Sequence, residues 1–182
     1  MISRLFFICT TLLLISCASQ RNEFGRLRPN SDRFTVKPDT GNIINKEMDT
    51  SAFYLRVSKN DIDYMFDINN DKRLIRDVGI GFKFYSKGKV GMFYNIDFND
   101  NKTLNPKRAV MGFYQEINGE LYLEFLLNHA QSGNFLVKKE VLVSENSFLK
   151  IKSYKKAISP EYISTYEKVS LPKAFLIYKP DW

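Results

Sequence analysis

The chain has 182 residues, 44% of them hydrophobic and 26% charged, which suits one folded domain with a short appendage and excludes a wholly disordered chain or two full domains. Lys and Arg outnumber Asp and Glu by 27 to 20, a net charge of +7. Two cysteines and a single histidine leave no basis for a disulfide framework, a Cys/His zinc site or thiol–imidazole catalysis.

Met1–Arg4 is a short basic segment, and Leu5–Ile15 is an eleven-residue apolar run interrupted by Cys9, Thr10 and Thr11. A bilayer span needs about 20 apolar residues, so this run has the length of a secretory hydrophobic segment. It ends in Leu14-Ile15-Ser16-Cys17. That tetrapeptide resembles the lipobox of bacterial lipoprotein signal peptides: an aliphatic residue, two tolerant positions of which the second is small, then the cysteine. The resemblance implies a signal peptide over residues 1–16, cleavage after Ser16, diacylglycerol on the Cys17 sulfur and usually a further acyl group, such as palmitate, on the new N-terminus. Two or three chains, at about 0.8 kcal/mol per buried CH₂, anchor a protein without any transmembrane helix. The plainer reading is an ordinary secretory signal, or an uncleaved anchor, with a chance cysteine.

Under the lipoprotein reading Cys9 leaves with the signal peptide and Cys17 is acylated, so the mature chain carries no thiol and no disulfide. Losing Arg4 lowers its charge to +6. Ala18 follows Cys17 where an Asp favours inner-membrane retention in enterobacterial-type sorting. The expected address is therefore the bacterial cell envelope, and the outer rather than the inner membrane.

Residues 17–48 read as the lipidated N-terminus and a flexible linker. They lack helical or strand periodicity and carry Gly25, Pro29 and the turn signal Pro38-Asp39-Thr40-Gly41. Arg21, Arg26, Arg28 and Arg33 could meet anionic lipid, but Glu23 and Asp32 interrupt them, and a solvated linker is the simpler expectation.

From residue 49 to 182 the pattern is almost entirely β. Phe53–Val57 opens with strand formers, and Ile80–Tyr85 and Val90–Ile96 flank Ser86-Lys87-Gly88-Lys89, a hairpin turn in which Gly88 supplies positive φ. Ala109–Ile117 and Glu120–Leu127 flank Asn118-Gly119, a strong hairpin signal. Gly133–Val137, Val141–Val143 and Phe148–Lys152 continue the alternation, with a turn at Ser144–Ser147. Ser159-Pro160-Glu161 resembles a helix start, predicting a short helix over 160–167. Val169–Tyr178 then returns to strand, with Pro172 at an edge or bulge. About eight short strands with hairpin connections predict an all-β antiparallel meander, closed as a small barrel or folded as a sandwich.

The run Phe82-Lys83-Phe84-Tyr85-Ser86-Lys87-Gly88-Lys89-Val90 resembles the RFY-x-N-G-x-V hairpin of small lipocalin-like bacterial lipoproteins, with Lys83 as the nearest base to the missing arginine. Tyr114, Asn118-Gly119, Leu121–Phe125 and Gly133–Phe135 fit the same meander. The resemblance covers about residues 50–182 and implies a lipocalin-like barrel of about eight strands, without implying an activity.

Candidate chemical sites are few. Asp67-Ile68-Asn69-Asn70-Asp71 starts like a calcium loop, but Lys72 and Val78 stand where an EF-hand needs Gly and Glu. Asn95–Asn101 also offers oxygens and reads more simply as a turn. His129 lies in a polar stretch with no nucleophile at meaningful spacing. Glu120 and Glu124 alternate with Leu121, Leu123 and Phe125 and read as surface charge rather than a hydrolytic pair. Lys138, Lys139, Lys150, Lys152, Lys155 and Lys156, with Phe148 and Tyr154 nearby, read as an anionic-polymer face or, preferably, as guards on strand edges.

Aromatic content is the one feature that leans toward binding, with 24 rings left after signal cleavage. Phe82, Phe84, Tyr94, Tyr114, Leu123 and Phe125 are expected to face inward, where they either fill the barrel or line a cavity for one small ligand. The sequence thus predicts a lipid-anchored envelope protein, not an enzyme, without cofactor, metal or nucleic-acid partner. Its expected role is holding a small apolar or amphipathic molecule in the barrel. The alternative is a structural or accessory subunit that docks another envelope protein.

Overall fold

A computed structural model describes residues 21–38, 48–57, 79–129, 133–145, 147–153 and 162–182. Eight strands follow in chain order: β1 (Ala52–Arg56), β2 (Gly81–Tyr85), β3 (Lys89–Phe93), β4 (Val110–Ile117), β5 (Glu120–His129), β6 (Gly133–Glu145), β7 (Phe148–Ser153) and β8 (Tyr162–Ser170). Each pairs antiparallel with the next, and β8 returns to β1, so the sheet is a closed barrel. The expected lipocalin-like meander is thus present, in its closed form. Closure pairs every strand on both sides, which removes the edges that lysines would need to guard.

The hairpin turns follow the sequence signals. Asn118 and Gly119 adopt φ of 56° and 82°, and Lys87 and Gly88 adopt 60° and 67°, the double positive φ of a two-residue turn whose twist matches the strands it joins. These tight turns gather at one end of the barrel. The last residues of β1, β3, β5 and β7 and the first residues of β2, β4, β6 and β8 all lie at the other end, the mouth.

Inward side chains alternate along each strand and meet on the axis. Tyr54, Phe82, Phe84, Met92, Tyr114, Leu123, Phe125, Leu149, Ile151 and Tyr166 are 0 to 6% exposed and form one cluster. Their rings interlock: Phe84 lies 5.2 Å from Tyr114 and 5.3 Å from Tyr54, and Phe82 lies 5.3 Å from Phe125 and 4.7 Å from Tyr166. The buried Tyr114 hydroxyl donates to the Tyr85 carbonyl at 2.8 Å, so no polar atom is stranded there. Eight strands enclose just enough room for side chains of this size.

A second layer wraps the outer wall. Met111, Phe113 and Leu126 point outward and are buried beneath Phe34 and Val36, with the Phe34 and Phe113 rings edge-on at 4.8 Å. Phe53 and Phe93 are buried beneath Leu104, Ala109 and Phe175. Residues 21–37, expected to belong to a free linker, therefore pack on the barrel. The cause is β4, whose Val110-Met111-Gly112-Phe113-Tyr114 is apolar on both faces and needs cover on both.

Three other expectations change. Residues 162–170 form β8 where a helix over 160–167 was expected; Ile163 and Tyr166 alternate outward and inward, and pairing with both β1 and β7 prevails over the local helix signal. The chain leaves the sheet at Ser170, and Pro172 caps a short 3-10 turn, Lys173–Phe175, instead of standing in a strand. The two short runs expected over 133–143 are one long strand, β6, with an irregularity between Val141 and Val143. The signal segment with Cys17, the linker beyond residue 38, the Asp67–Asp71 loop, Tyr154, Lys155 and Lys156 lie outside the described residues.

Candidate binding cleft at the barrel rim

A cleft of about 550 Å³ opens at the mouth, on the β4–β5 side. Tyr94, Val110 and Leu127 come from the inner lip, Met111 and Leu126 from the outer wall, and Ile80 from the chain entering β2. Asn95 and Asn128 supply amides at the edge. Arg21, Gly25, Arg26 and Leu27 close the outer side. The volume falls in the range of small-molecule sites, and the make-up is an apolar floor with a few polar groups, two of them guanidinium ions.

The arginine side is a built turn. An isolated bridge between Arg21 and Leu27 closes it, and the Asn22 side-chain oxygen accepts from the backbone N–H groups of Phe24 and Arg26 at 3.1 and 3.0 Å. The Arg21 guanidinium donates to the Gly25 carbonyl at 2.7 Å. Asn22 then ties the turn to the barrel by donating to the Lys107 carbonyl at 2.6 Å.

Two buried charges fix this N-terminal strap to the wall. The Arg28 side chain is 11% exposed and uses all five of its N–H donors. Nε binds Asp181 at 2.8 Å, Nη1 reaches the carbonyls of Leu27 and Ala109 at 2.9 and 3.3 Å, and Nη2 reaches those of Pro106 and Lys107 at 3.0 Å each. Its guanidinium also lies 4.8 Å from the Trp182 ring centre. One side chain thus joins the strap, the β3–β4 connection and the C-terminal segment. Glu124 holds the other end: its carboxylate accepts from the Thr35 and Val36 N–H groups at 2.6 and 2.9 Å and from the Thr35 hydroxyl at 2.8 Å.

The sequence missed both anchors. Glu124, expected on an open surface, is 3% exposed beneath the strap. Arg28 was grouped with the free linker arginines. A carboxylate between Leu123 and Phe125 on a strand facing a two-sidedly apolar β4 was the available signal, because an outward charge there faces whatever covers β4.

Among the residues expected to bind a ligand, Phe82, Phe84, Tyr114, Leu123 and Phe125 are together in the packed barrel interior, away from the cleft. Tyr94 alone borders the opening. Burial pushes its phenol pKa up, and the charge of Arg26 works in the opposite direction. The inward environment turns polar on the β6–β7 side. Lys139 lies in register with inward-facing Leu123 and donates to the Ser153 hydroxyl at 2.6 Å. Burial, with the nearby charge of Arg56 adding to it, draws its pKa down to about 8.

The lysine face expected around the last hairpins is therefore divided. Lys139 points inward, whereas Lys138 lies 4.1 Å from the outward Tyr122 ring and Lys150 is exposed. His129 is the last residue of β5, opposite Gly133, not a loop residue. In the Asn95–Asn101 stretch the Asp97 carboxylate accepts from the Asn99 backbone and side chain, and Asp100 caps the 3-10 turn Asn101–Leu104, as turn chemistry requires.

No helix among the described residues is long and apolar enough to cross a membrane. Comparisons with protein-family models, with curated proteins and with solved structures find no match.

Proposed function

We propose that this chain is a lipid-anchored bacterial envelope protein that binds a small amphipathic molecule at its barrel rim, without catalysing a reaction. The supporting observation is the rim cleft, whose floor of Tyr94, Val110 and Leu127 meets Arg21 and Arg26 at its edge. The burial of Phe82, Phe84, Tyr114, Leu123 and Phe125 against one another supports a site at the rim rather than on the barrel axis. The Leu14–Cys17 tetrapeptide supports the anchor.

The test is a Cys17→Ser form secreted under an ordinary signal peptide, purified gently and extracted with organic solvent for mass spectrometry. One stoichiometric amphiphile, lost on Leu127→Arg substitution, is expected. A clean, stable and empty protein would overturn the binding reading. The anchor is checked apart from this with globomycin, which blocks lipoprotein signal cleavage; unchanged processing would remove the lipobox assignment.

The filled interior also favours the accessory-subunit reading, in which the barrel serves as a rigid body. Crosslinking of the empty protein to one envelope partner would select that reading.

A further inference from the structure

We propose that the rim cleft is the membrane-facing surface of the protein, and that it seats the headgroup of an anionic lipid from the leaflet that carries the Cys17 anchor. The inference rests on the lipid-anchor reading above and adds to it an orientation and a ligand class.

Chain length sets the orientation. Cys17 precedes Arg21 by four residues, a reach of about 14 Å at full extension. Arg21 itself is fixed in the turn beside the cleft, and the strap behind it is fixed by Arg28 and Glu124. An acylated Cys17 sits at the acyl boundary, beneath a polar layer of about 5–8 Å. The tether consequently keeps Arg21 within about 14 Å of the acyl boundary, so the cleft beside it reaches the headgroup layer when the barrel mouth faces the membrane. A free linker over 17–48 would have imposed no such limit.

Charge sets the ligand. Arg21 and Arg26 line the cleft, and among the described residues no carboxylate does. Glu23, on the same turn, pairs with Lys107 at 2.7 Å, and Asp181 pairs with Arg28 at 2.8 Å. Phe24, at the tip of the turn, leaves 40% of its surface exposed beneath the Arg108 guanidinium, 4.7 Å from the ring centre. An exposed aromatic ring beside cations is what a headgroup layer accepts, and water does not reward it.

Two measurements test this. The Cys17→Ser mature chain is sedimented with vesicles of phosphatidylcholine alone or mixed with phosphatidylglycerol. Binding to the mixed vesicles only is expected, and Arg21→Ser with Arg26→Ser should weaken it about fivefold per arginine. Lys150→Ser, on the outer face of β7, should leave it unchanged. Equal binding to both vesicles, or equal loss on Lys150→Ser, overturns the proposal. So does full binding by the double arginine variant once circular dichroism shows it folded.

Orientation is read on the acylated chain, which has no other thiol, with a fluorophore on Asn128→Cys at the cleft or Ser147→Cys at the opposite end. Lipid-borne quenchers should dim the first and spare the second; equal or reversed quenching overturns the orientation. If Cys17 proves unacylated while the soluble form still selects anionic vesicles, the anchor reading fails and the lipid surface stands.

Discussion

The inner and outer faces of β4 and β5 both bury apolar side chains, yet they are covered in different ways. Inside, Tyr114, Leu123 and Phe125 meet other strands of the same barrel. Outside, Met111, Phe113 and Leu126 meet a strap that arrives from some 80 residues earlier in the chain. Ladder hydrogen bonds position the inner partners, so apolar contact alone suffices there. The strap belongs to no sheet, and its backbone groups need polar partners brought to them. Glu124 supplies these for Thr35 and Val36, and the strap's own Arg28 reaches out to Asp181 and to the carbonyls of Pro106, Lys107 and Ala109. The inner face is therefore expected to fail globally when cut, and the outer face locally.

The largest effect should come from the interior. Phe125→Ala removes a ring stacked on Phe82 and opens a void in a closed barrel, at a cost of about 3–5 kcal/mol. Denaturant unfolding should show one cooperative transition at lower midpoint. A local effect confined to β5 would break the comparison.

Glu124→Ala should come next, at about 2–3 kcal/mol, because it strands the Thr35 and Val36 N–H groups. Its signature should be local. Hydrogen exchange at residues 34–37 should rise while the β2–β5 amides stay protected. Equal loss of protection in both would show that strap and barrel unfold as one unit.

A pH effect is expected in both regions. Lys83, buried on the outer wall with its ammonium on the Thr50 carbonyl, has a pKa lowered to about 8, and Lys139, on the inner side, is lowered likewise. Burial is the main cause for each. A lysine titrating lower in the folded state holds fewer protons than the unfolded chain between about pH 8 and 10.5, so stability should rise with pH across that window. Lys83→Met and Lys139→Met should each remove part of the rise, measured as denaturation midpoint against pH.

What the sequence made legible follows the same division. The strands, their inward residues and both hairpin turns are encoded locally, in alternation and in Asn118-Gly119 and Gly88. The outer layer is encoded by two distant segments that look polar and irregular on their own. Arg28 and Glu124 lie 96 positions apart and serve one strap, and no local pattern joins them. β8 went astray for a related reason: Ser159-Pro160-Glu161 is a sound local helix start, overruled by two neighbouring strands that form only when the barrel closes. The rim cleft needed both layers at once. Tyr94 was legible as an inward aromatic, whereas Arg21 and Arg26 gained a place only when the turn docked.

The smallest effect should come from the ion pair at the closed end, and it shows why buried and half-exposed anchors differ. Met48 packs into the barrel core, and Asp49 follows it, donating its N–H to the Tyr54 hydroxyl at 3.1 Å and pairing with Lys168 at 2.8 Å. This resembles the Glu124 anchor, a carboxylate holding a segment against the barrel. The difference is water: the Lys168 and Asp49 side chains are 30% and 34% exposed. Lys168, with help from Ser51, holds the Asp49 carboxyl down to about 2. A depressed carboxyl stabilises the fold above its unfolded value of about 4, and that contribution fades as pH falls from about 4 to about 2. Solvent screening keeps it below about 1 kcal/mol, so Lys168→Met should shift the midpoint only slightly at neutral pH and still less as pH falls toward 2. Added salt should shrink the shift, while leaving the Glu124→Ala effect intact. A salt-insensitive loss at Lys168 as large as that at Glu124 would show that burial is not what separates the two anchors.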